Sequence, residues 1–507
     1  MQSPSLATAG APAAGAAGRR PPLRRIDRLT YTALALAILL ALAAAASGVH
    51  TLPILLVIVA AIAFAAAHTW LLAWRTMLGA IVLTILFIPI KRYELPVNLP
   101  MQLEPYRLLV LGVGAGMAAS LLIDSRLQLR RTGLDAPLAM LGLAMLLSVL
   151  TRAGHILGDG LGKYSFRSVS FFATYLIVFY LVTLAVRRRS DVEALLRLLV
   201  MGAAIVAISA VVEEWGRYNI FDHLQQYIPI LRFQGVPYTV DRGGVRAYAS
   251  GQHPIAMGAA FALIFPLAVY LGHSTQQRRW WICCGLLVLG CLATKSRTAI
   301  IMLTVIMVVF LILQGATTRR MIPKLILPLL VVAHVAMPGT LGTFKGAFFP
   351  SGGVVSSETN ADVSWHSNYG RGRIGEWDPA LKEWELTPLF GQGAGTRVSD
   401  LDDPKMNAPI LDDQWLWSLL ELGVFGVVAL LWFFVSAVRR FGRLARRDTT
   451  EDSWFLTAMA ASIASYGFGM LTFDAFNFVQ VTMLLFLITA LGVAWLRPDE
   501  AEAAPAR

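Results

Sequence analysis

Four stretches of this 507-residue chain place ionisable side chains beside long apolar runs, and their types fit two kinds of chemistry. NAPILDDQWLWSLLELGVFG, 407 to 426, sets Asp412 and Asp413 immediately before an apolar run, with Glu421 about two turns further in. RGGVRAYASGQHPIAMG, 242 to 258, supplies Arg246 and His253 ahead of Pro254, a residue suited to the first turn of a helix. LATKSRTAIIML, 292 to 303, holds Lys295, Ser296 and Arg297 in a tight turn. In NYGRGRIGEWDPALKEWELTPLFGQGAG, 368 to 395, Arg373, Trp377, Leu381 and Trp384 recur at helical spacing. The cations fit anion binding, and the carboxylates fit proton removal.

Each stretch also has a plain structural reading. Asp412 or Asp413 can cap the following helix, where an acid is stabilised by about 0.3–1 kcal/mol. One cap uses one aspartate and leaves the other available. Lys295 and Arg297 can snorkel to lipid phosphates, although a basic pair in a short outer turn runs against the usual charge bias and a bound anion would compensate it. Arg246 and His253 also fit an interfacial arginine with a helix-start histidine. The spacing from Arg373 to Trp384 predicts an amphipathic helix at the membrane surface. Its cationic end and aromatic stripe suit a polyprenyl diphosphate, and an ordinary surface helix fits equally well. Gly391, Gly393 and Gly395 could line an anion nest, but a plain loop is favoured. Glu421 falls at membrane depth and needs a polar partner.

The elements that must position these residues are membrane helices. The chain is 56% hydrophobic and 15% charged, with mean hydropathy +0.62, against about 25% charged for soluble domains. Apolar runs of spanning length recur from Tyr31 almost to the C-terminus. Candidate spans lie near 30–47, 52–73, 77–90, 106–123, 136–150, 169–186, 193–212, 252–272, 280–294, 298–314, 322–337, 414–437, 454–472 and 475–496. Several are short, so an all-α polytopic bundle of 12–14 helices is expected, without a separate soluble domain of ordinary size. The low-complexity basic segment 1–29 and the tail 498–507 flank it, and the first span is read as uncleaved.

With the N-terminus in the cytoplasm, RRPPLRR, DSRLQLRR, RRRSD, HSTQQRR, TTRRMIPK and RRFGRLARR all fall on the cytoplasmic side. The outside receives the long segments 213–251 and 338–413, with the turns TKSRT and TFDA. All the residues singled out above then face one compartment outside the cytoplasmic membrane. The net charge of +12 is scattered over short loops, which excludes a nucleic-acid module. Cys283, Cys284 and Cys291 lie within one apolar run, with neither zinc spacing nor a disulfide framework.

In their order along the chain, RAYASGQHP, TKSRTAI, RIGEWDPAL with PLFGQGAG, and DDQWLWSLLELGVFG resemble the O-antigen ligase and O-antigen polymerase superfamily over about 240–437. The resemblance implies a multispan glycosyltransferase acting on polyprenyl-diphosphate-linked sugars outside the cytoplasmic membrane. It carries the family's arginine before the His-Pro element onto Arg246 and its Ser-Arg turn onto Ser296 and Arg297. The arginine opening the loop helix falls on Arg373, and the Glu-x-Gly-x-x-Gly segment on Glu421, Gly423 and Gly426. Asp412 and Asp413 stand where the ligases have a His-Asn pair, and Ile255 where asparagine is common. The acceptor does not follow from the resemblance.

Displacing a diphosphate from an anomeric carbon requires neutralising the leaving group and removing a proton from the acceptor hydroxyl. Arg246, Arg297 and Arg373 are the candidates for the first task, with Lys295 secondary. Asp412 is the candidate base and Asp413 its orienting partner. His253 is structural or contacts the acceptor; Ser296, Trp377 and Glu421 are candidate binding residues. Direct attack predicts inversion. No metal cluster is evident, so no metal or cofactor is called for. The expected partners are the lipid-linked glycan donor, a glycan, lipid or protein acceptor, and membrane lipids. A polymerase that extends lipid-linked repeat units is the nearest alternative. A polysaccharide-related transporter is a weaker one, because no internal repeat is found.

Overall fold

A computed structural model of the chain describes residues 73–96, 104–123, 131–235, 245–336, 377–398, 408, 411–448 and 450–497; past residue 315 of the helix ending at Ala336, side chains are described only at 318 and 320. The expected spans near 30–47 and 52–73, the flanking segments 1–29 and 498–507, and Arg373 lie outside the described residues.

The described chain is helical apart from short connections and one two-stranded ladder. Its helices of eight residues or more are α1 Trp74–Phe87, α2 Pro105–Ile123, α3 Asp135–Thr151, α4 Gly162–Ala185, α5 Arg189–Gly216, α6 Pro254–Thr275, α7 Arg278–Ala293, α8 Arg297–Ala336, α9 Trp377–Trp384, α10 Gln414–Arg447, α11 Asp452–Gly469 and α12 Val479–Trp495. Among the described residues, six helices are long and apolar enough to cross a membrane, and α1, α3 and α12 are shorter apolar helices. The chain is an all-α polytopic membrane bundle, as expected. In such a setting helices dominate because each backbone polar group finds its partner within its own segment.

Burial sorts the helices. Every residue of α12 and most of α6 are buried, the pattern of a helix apolar on all sides. Helix α6 packs against α5, α7, α8, α11 and α12 and forms the centre. Helix α2 sits at the rim, with Leu108, Leu111 and Leu122 exposed. Two breaks interrupt the longer helices, at Gly315 in α8 and at Gly423 in α10, both glycines at positive φ.

The two ends of the bundle differ in chemistry. At one end Arg189 Nη1 reaches Asp452 Oδ2 at 2.6 Å, Arg440 donates to the Thr132 carbonyl, and the His273 ring stacks on Trp454. The other end carries the connections after α1, α5, α7 and α11 and the start of α10. There β1 Tyr93–Glu94 pairs antiparallel with β2 Arg232–Phe233, tying the connection after α1 to the one after α5.

Candidate active site

The segment before α6 lies outside regular secondary structure, and side chains from the connection after α1, the end of α5 and the connection after α5 hold it. Arg92 Nη1 donates to the carbonyls of Ala249 and Gly251 at 2.7 and 3.0 Å, and its guanidinium also meets Asp222. The Glu213 carboxylate accepts from the Tyr248 and Ala249 amides at 3.3 and 2.7 Å, and Tyr248 Oη donates to Asp222 at 2.9 Å. His253 then caps α6, its Nδ1 accepting from Ile255 N at 3.2 Å, while its ring stacks on Phe478 at 5.6 Å.

This clamp brings the first two motifs together. Arg246 is buried and its Nε donates to the Thr294 carbonyl at 3.4 Å. The α7–α8 turn passes close to α6 because Gly258 has no side chain; a Cβ there would lie 2.6 Å from Thr294 Oγ1 and 3.3 Å from Ser296 Cβ. Lys295 takes a left-handed conformation (φ 48) in that turn, and its Nζ faces Glu214 Oε1 at 3.6 Å. Ser296 is buried beside it, and Arg297 opens α8. Thr298 Oγ1 meets Thr472 Oγ1 at 2.8 Å, joining the turn to the α11–α12 connection.

The third set meets this connection from the other side. Asp413 is the cap of α10: its Oδ1 accepts from Trp415 N at 2.9 Å and Leu416 N at 3.2 Å, and the residue is 2% exposed. Asp412, one residue outside the cap, is half-buried. Gln414 locks both to the connection, its amide donating to the Met470 carbonyl at 2.8 Å and its Oε1 accepting from Phe476 N at 2.7 Å. Asp474 lies in that connection. Burial first, and then the charge of Asp412, push its carboxyl up to about 7.

Glu421 belongs to a structural exchange. An unbroken helix would bond Val424 N to the Leu420 carbonyl and Phe425 N to that of Glu421. At the Gly423 break the 388–393 loop takes over both pairs. Gln392 N and Gly393 N donate to the Leu420 and Glu421 carbonyls at 2.9 and 3.2 Å, while Val424 N and Phe425 N donate to the Pro388 and Leu389 carbonyls at 2.9 and 3.2 Å. The backbones touch, so a Cβ on Gly391 would lie 2.4 Å from the Glu421 carbonyl and one on Gly423 2.3 Å from the Leu389 carbonyl. The loop amides are thus spent on α10 rather than on an anion nest. The buried Glu421 carboxylate accepts from Arg397 N at 3.3 Å, the polar partner that its depth demands. The Arg397 guanidinium pairs with Glu383 of α9.

Helix α9 presents the exposed Trp377 and Leu381 outward, and Ala380 packs into a small cluster with Leu411, Leu416 and Leu420. Its surface position agrees with the amphipathic expectation for the part that is described.

A cavity of about 370 Å³ opens between α4, α10 and the α11–α12 connection. Lys91, Arg167, Arg397, Asp474 and Glu421 supply its charges, and Phe171 and Trp417 are among its aromatic walls. Burial first, then repulsion from Arg167, lower Lys91 to about 8, against the pull of Glu104 and Asp474. Of these five charged residues, only Glu421 was singled out from the sequence. Lys91 directly follows an apolar run and Asp474 occupies the outer turn TFDA; those positions were the only signal for them. Among the described residues, no group of three or more His, Cys, Asp or Glu is placed to hold a metal ion.

Residues 282–431 match the family model described as O-Antigen ligase. The match takes in Lys295 to Arg297, Arg373, Trp377, Asp412, Asp413 and Glu421, and begins after Arg246 and His253. A search of curated proteins returned no match. With helices long and apolar enough to cross a membrane, the chain is an integral membrane protein, and its residues 282–431 are similar to the O-antigen ligase family, a likeness that supports glycosyltransferase activity at the family level.

Proposed function

We propose that the chain transfers a glycan from a polyprenyl-diphosphate donor to an acceptor hydroxyl at the outer face of the cytoplasmic membrane, with inversion and without a metal. The acceptor oxygen gives its proton to the Asp412 carboxylate and forms the bond to the anomeric carbon. The carbon–oxygen bond to the diphosphate breaks, and its electron pair leaves with the phosphate. Arg246 and Arg297, helped by Lys295 and by Arg373 at the head of the α9 segment, neutralise that charge. Preorganised cations at a developing anion are commonly the largest catalytic contribution. Asp413 fixes the start of α10 and thereby the position of Asp412, and His253 holds α6 against the same connection. Trp377 and Leu381 offer an exposed apolar face to the lipid chain.

The observation that carries this function is the meeting of three family motifs on the single α11–α12 connection. The bond from Thr298 to Thr472 brings in the Ser-Arg turn, the two bonds of Gln414 bring in the aspartates, and the stacking of His253 on Phe478 brings in the segment before α6. The outward direction is supported by the basic connections gathered at the opposite end. The test uses purified, folded Asp412→Asn and Arg297→Ala variants supplied with a lipid-linked oligosaccharide. Loss of transfer in both is expected, and unchanged transfer in both rejects the assigned roles. Product analysis names the acceptor: block transfer to a distinct lipid or protein marks a ligase, and a ladder of lengthening lipid-linked glycans marks a polymerase.

A further inference from the structure

The cavity beside Asp474 is lined by cations that the proposed donor site does not use. Two of them share one ring with Arg107, which lies outside the lining: Arg107 Cζ, Lys91 Nζ and Arg167 Cζ lie 4.6, 5.4 and 5.5 Å from the centroid of Phe171. Arg107 is committed, its Nε donating to Glu104 Oε2 at 3.1 Å. Glu104 is further occupied by the Lys91 backbone amide at 2.5 Å. Lys91 Nζ donates to a neutral acceptor, the Asn477 carbonyl at 2.8 Å, with the Glu104 and Asp474 carboxylates near enough to attract it. Arg167 is exposed where it lines the cavity. Of the carboxylates in the wall, Glu421 accepts from the Arg397 amide and Asp474 accepts from Asn477 Nδ2 at 3.2 Å. Lys91 and Arg167 are like charges held near each other around an aromatic face, an arrangement that an oxyanion between them relieves.

The position of the cavity indicates which substrate it serves. The α11–α12 connection carries Thr472, bonded to the residue next to Arg297, and carries Asp474 and Asn477 in the cavity wall. The cavity is therefore linked to the arginine turn through this connection, with the aspartates of the α10 start attached to the connection as well. In an inverting displacement the nucleophile enters opposite to the leaving group. If the diphosphate is held at Arg246 and Arg297, the acceptor needs a separate side, and this cavity, whose lining includes neither arginine, offers one. Phe171, Phe172, Tyr175 and Phe476 give that side an aromatic wall suited to a sugar ring.

Building on the proposed glycosyl transfer, we infer that this cavity seats the acceptor sugar and that the acceptor carries an oxyanion, a phosphate or a carboxylate, held between Lys91 and Arg167 over the Phe171 ring. The inference is tested by binding alone, without donor, on the full chain purified in a nonionic detergent. The probes are glucose 6-phosphate, glucuronate, glucose and inorganic phosphate, read by calorimetry. Both charged sugars are expected to bind, glucose at least about tenfold more weakly for want of the charge-assisted contacts, and inorganic phosphate more weakly for want of a ring. Lys91→Gln and Arg167→Gln, each made separately so that a folding defect in one leaves the other informative, are expected to weaken the charged sugars about tenfold or more. Lys382→Gln, which removes the exposed pair with Asp378 on α9, serves as the charge control and is expected to leave binding unchanged. Equal binding of glucose, equal binding of inorganic phosphate, no binding of either charged sugar, or unaltered affinity in both variants overturns the inference. Failure of glycosyl transfer with these affinities intact would instead count against the proposed function.

Discussion

Asp412 and Asp474 come from different helix connections, and the charge of the first reinforces burial in raising the proton affinity of the second. Neighbouring carboxylates resist ionising together. The folded value of about 7 lies above the ordinary 3.8. Ionising Asp474 is therefore harder in the folded protein, and the stability present below about pH 4 is lost as pH rises through 7. Asp474→Asn is expected to be more stable than the parent at pH 8, with the advantage vanishing near pH 4. Thermal unfolding in detergent across that interval measures it, and parallel curves for the two proteins would contradict the placement of the pair.

The two adjacent aspartates differ in place: Asp413 caps α10, and Asp412, the proposed base, lies one residue outside the cap. Asp413→Ala removes a cap with two amide partners and is expected to cost about 1 kcal/mol of stability. Asp412→Asn is expected to melt with the parent and to slow transfer by about a hundredfold or more, the range for loss of a general base. The reverse pattern, with Asp413 governing rate and Asp412 governing stability, would exchange their roles.

Gly423→Ala forces a side chain onto a residue at φ 67, where a Cβ would lie 2.3 Å from the Leu389 carbonyl. A loss of at least about 2 kcal/mol is expected from backbone strain and clash together. Yield and melting temperature in detergent report it. A variant as stable as the parent would mean that the loop does not lie against the break.

Arg397 and Glu383 form an ion pair in which the arginine side chain is almost wholly enclosed. Arg397→Ala removes the cationic partner of Glu383, which keeps the Gln392 Nε2 bond at 2.7 Å, and is expected to cost about 3 kcal/mol. Arg397→Ala combined with Glu383→Ala is expected to recover part of that loss. A double-mutant cycle with zero coupling energy would show that the pair contributes only packing.

Much of the architecture was legible because apolar length is a local property: the runs at 254–275 and 479–495 announce the two most buried helices without reference to neighbours. The clustering of Arg246, Lys295, Arg297 and Asp412 at one end followed from counting basic connections. Which aspartate caps α10 was not legible, since both satisfy the same local pattern. Lys91, Arg167 and Asp474 were invisible for a related reason. Each is an ordinary residue in its own stretch, and only the packing of α1, α4 and the α11–α12 connection brings them to one cavity. The glycines at 391 and 423 were visible as glycines, but the backbone exchange that requires them joins segments about 30 residues apart and leaves no periodic trace.

That exchange also limits how such a chain can be rebuilt. Residues 388–393 complete the hydrogen bonding of α10 in the way a missing piece of that helix would. A loop joined to an apolar helix in this manner is no detachable cassette. Grafting it from a relative to alter substrate choice would have to bring along the Gly423 bend, or leave buried amides and carbonyls bare at the break.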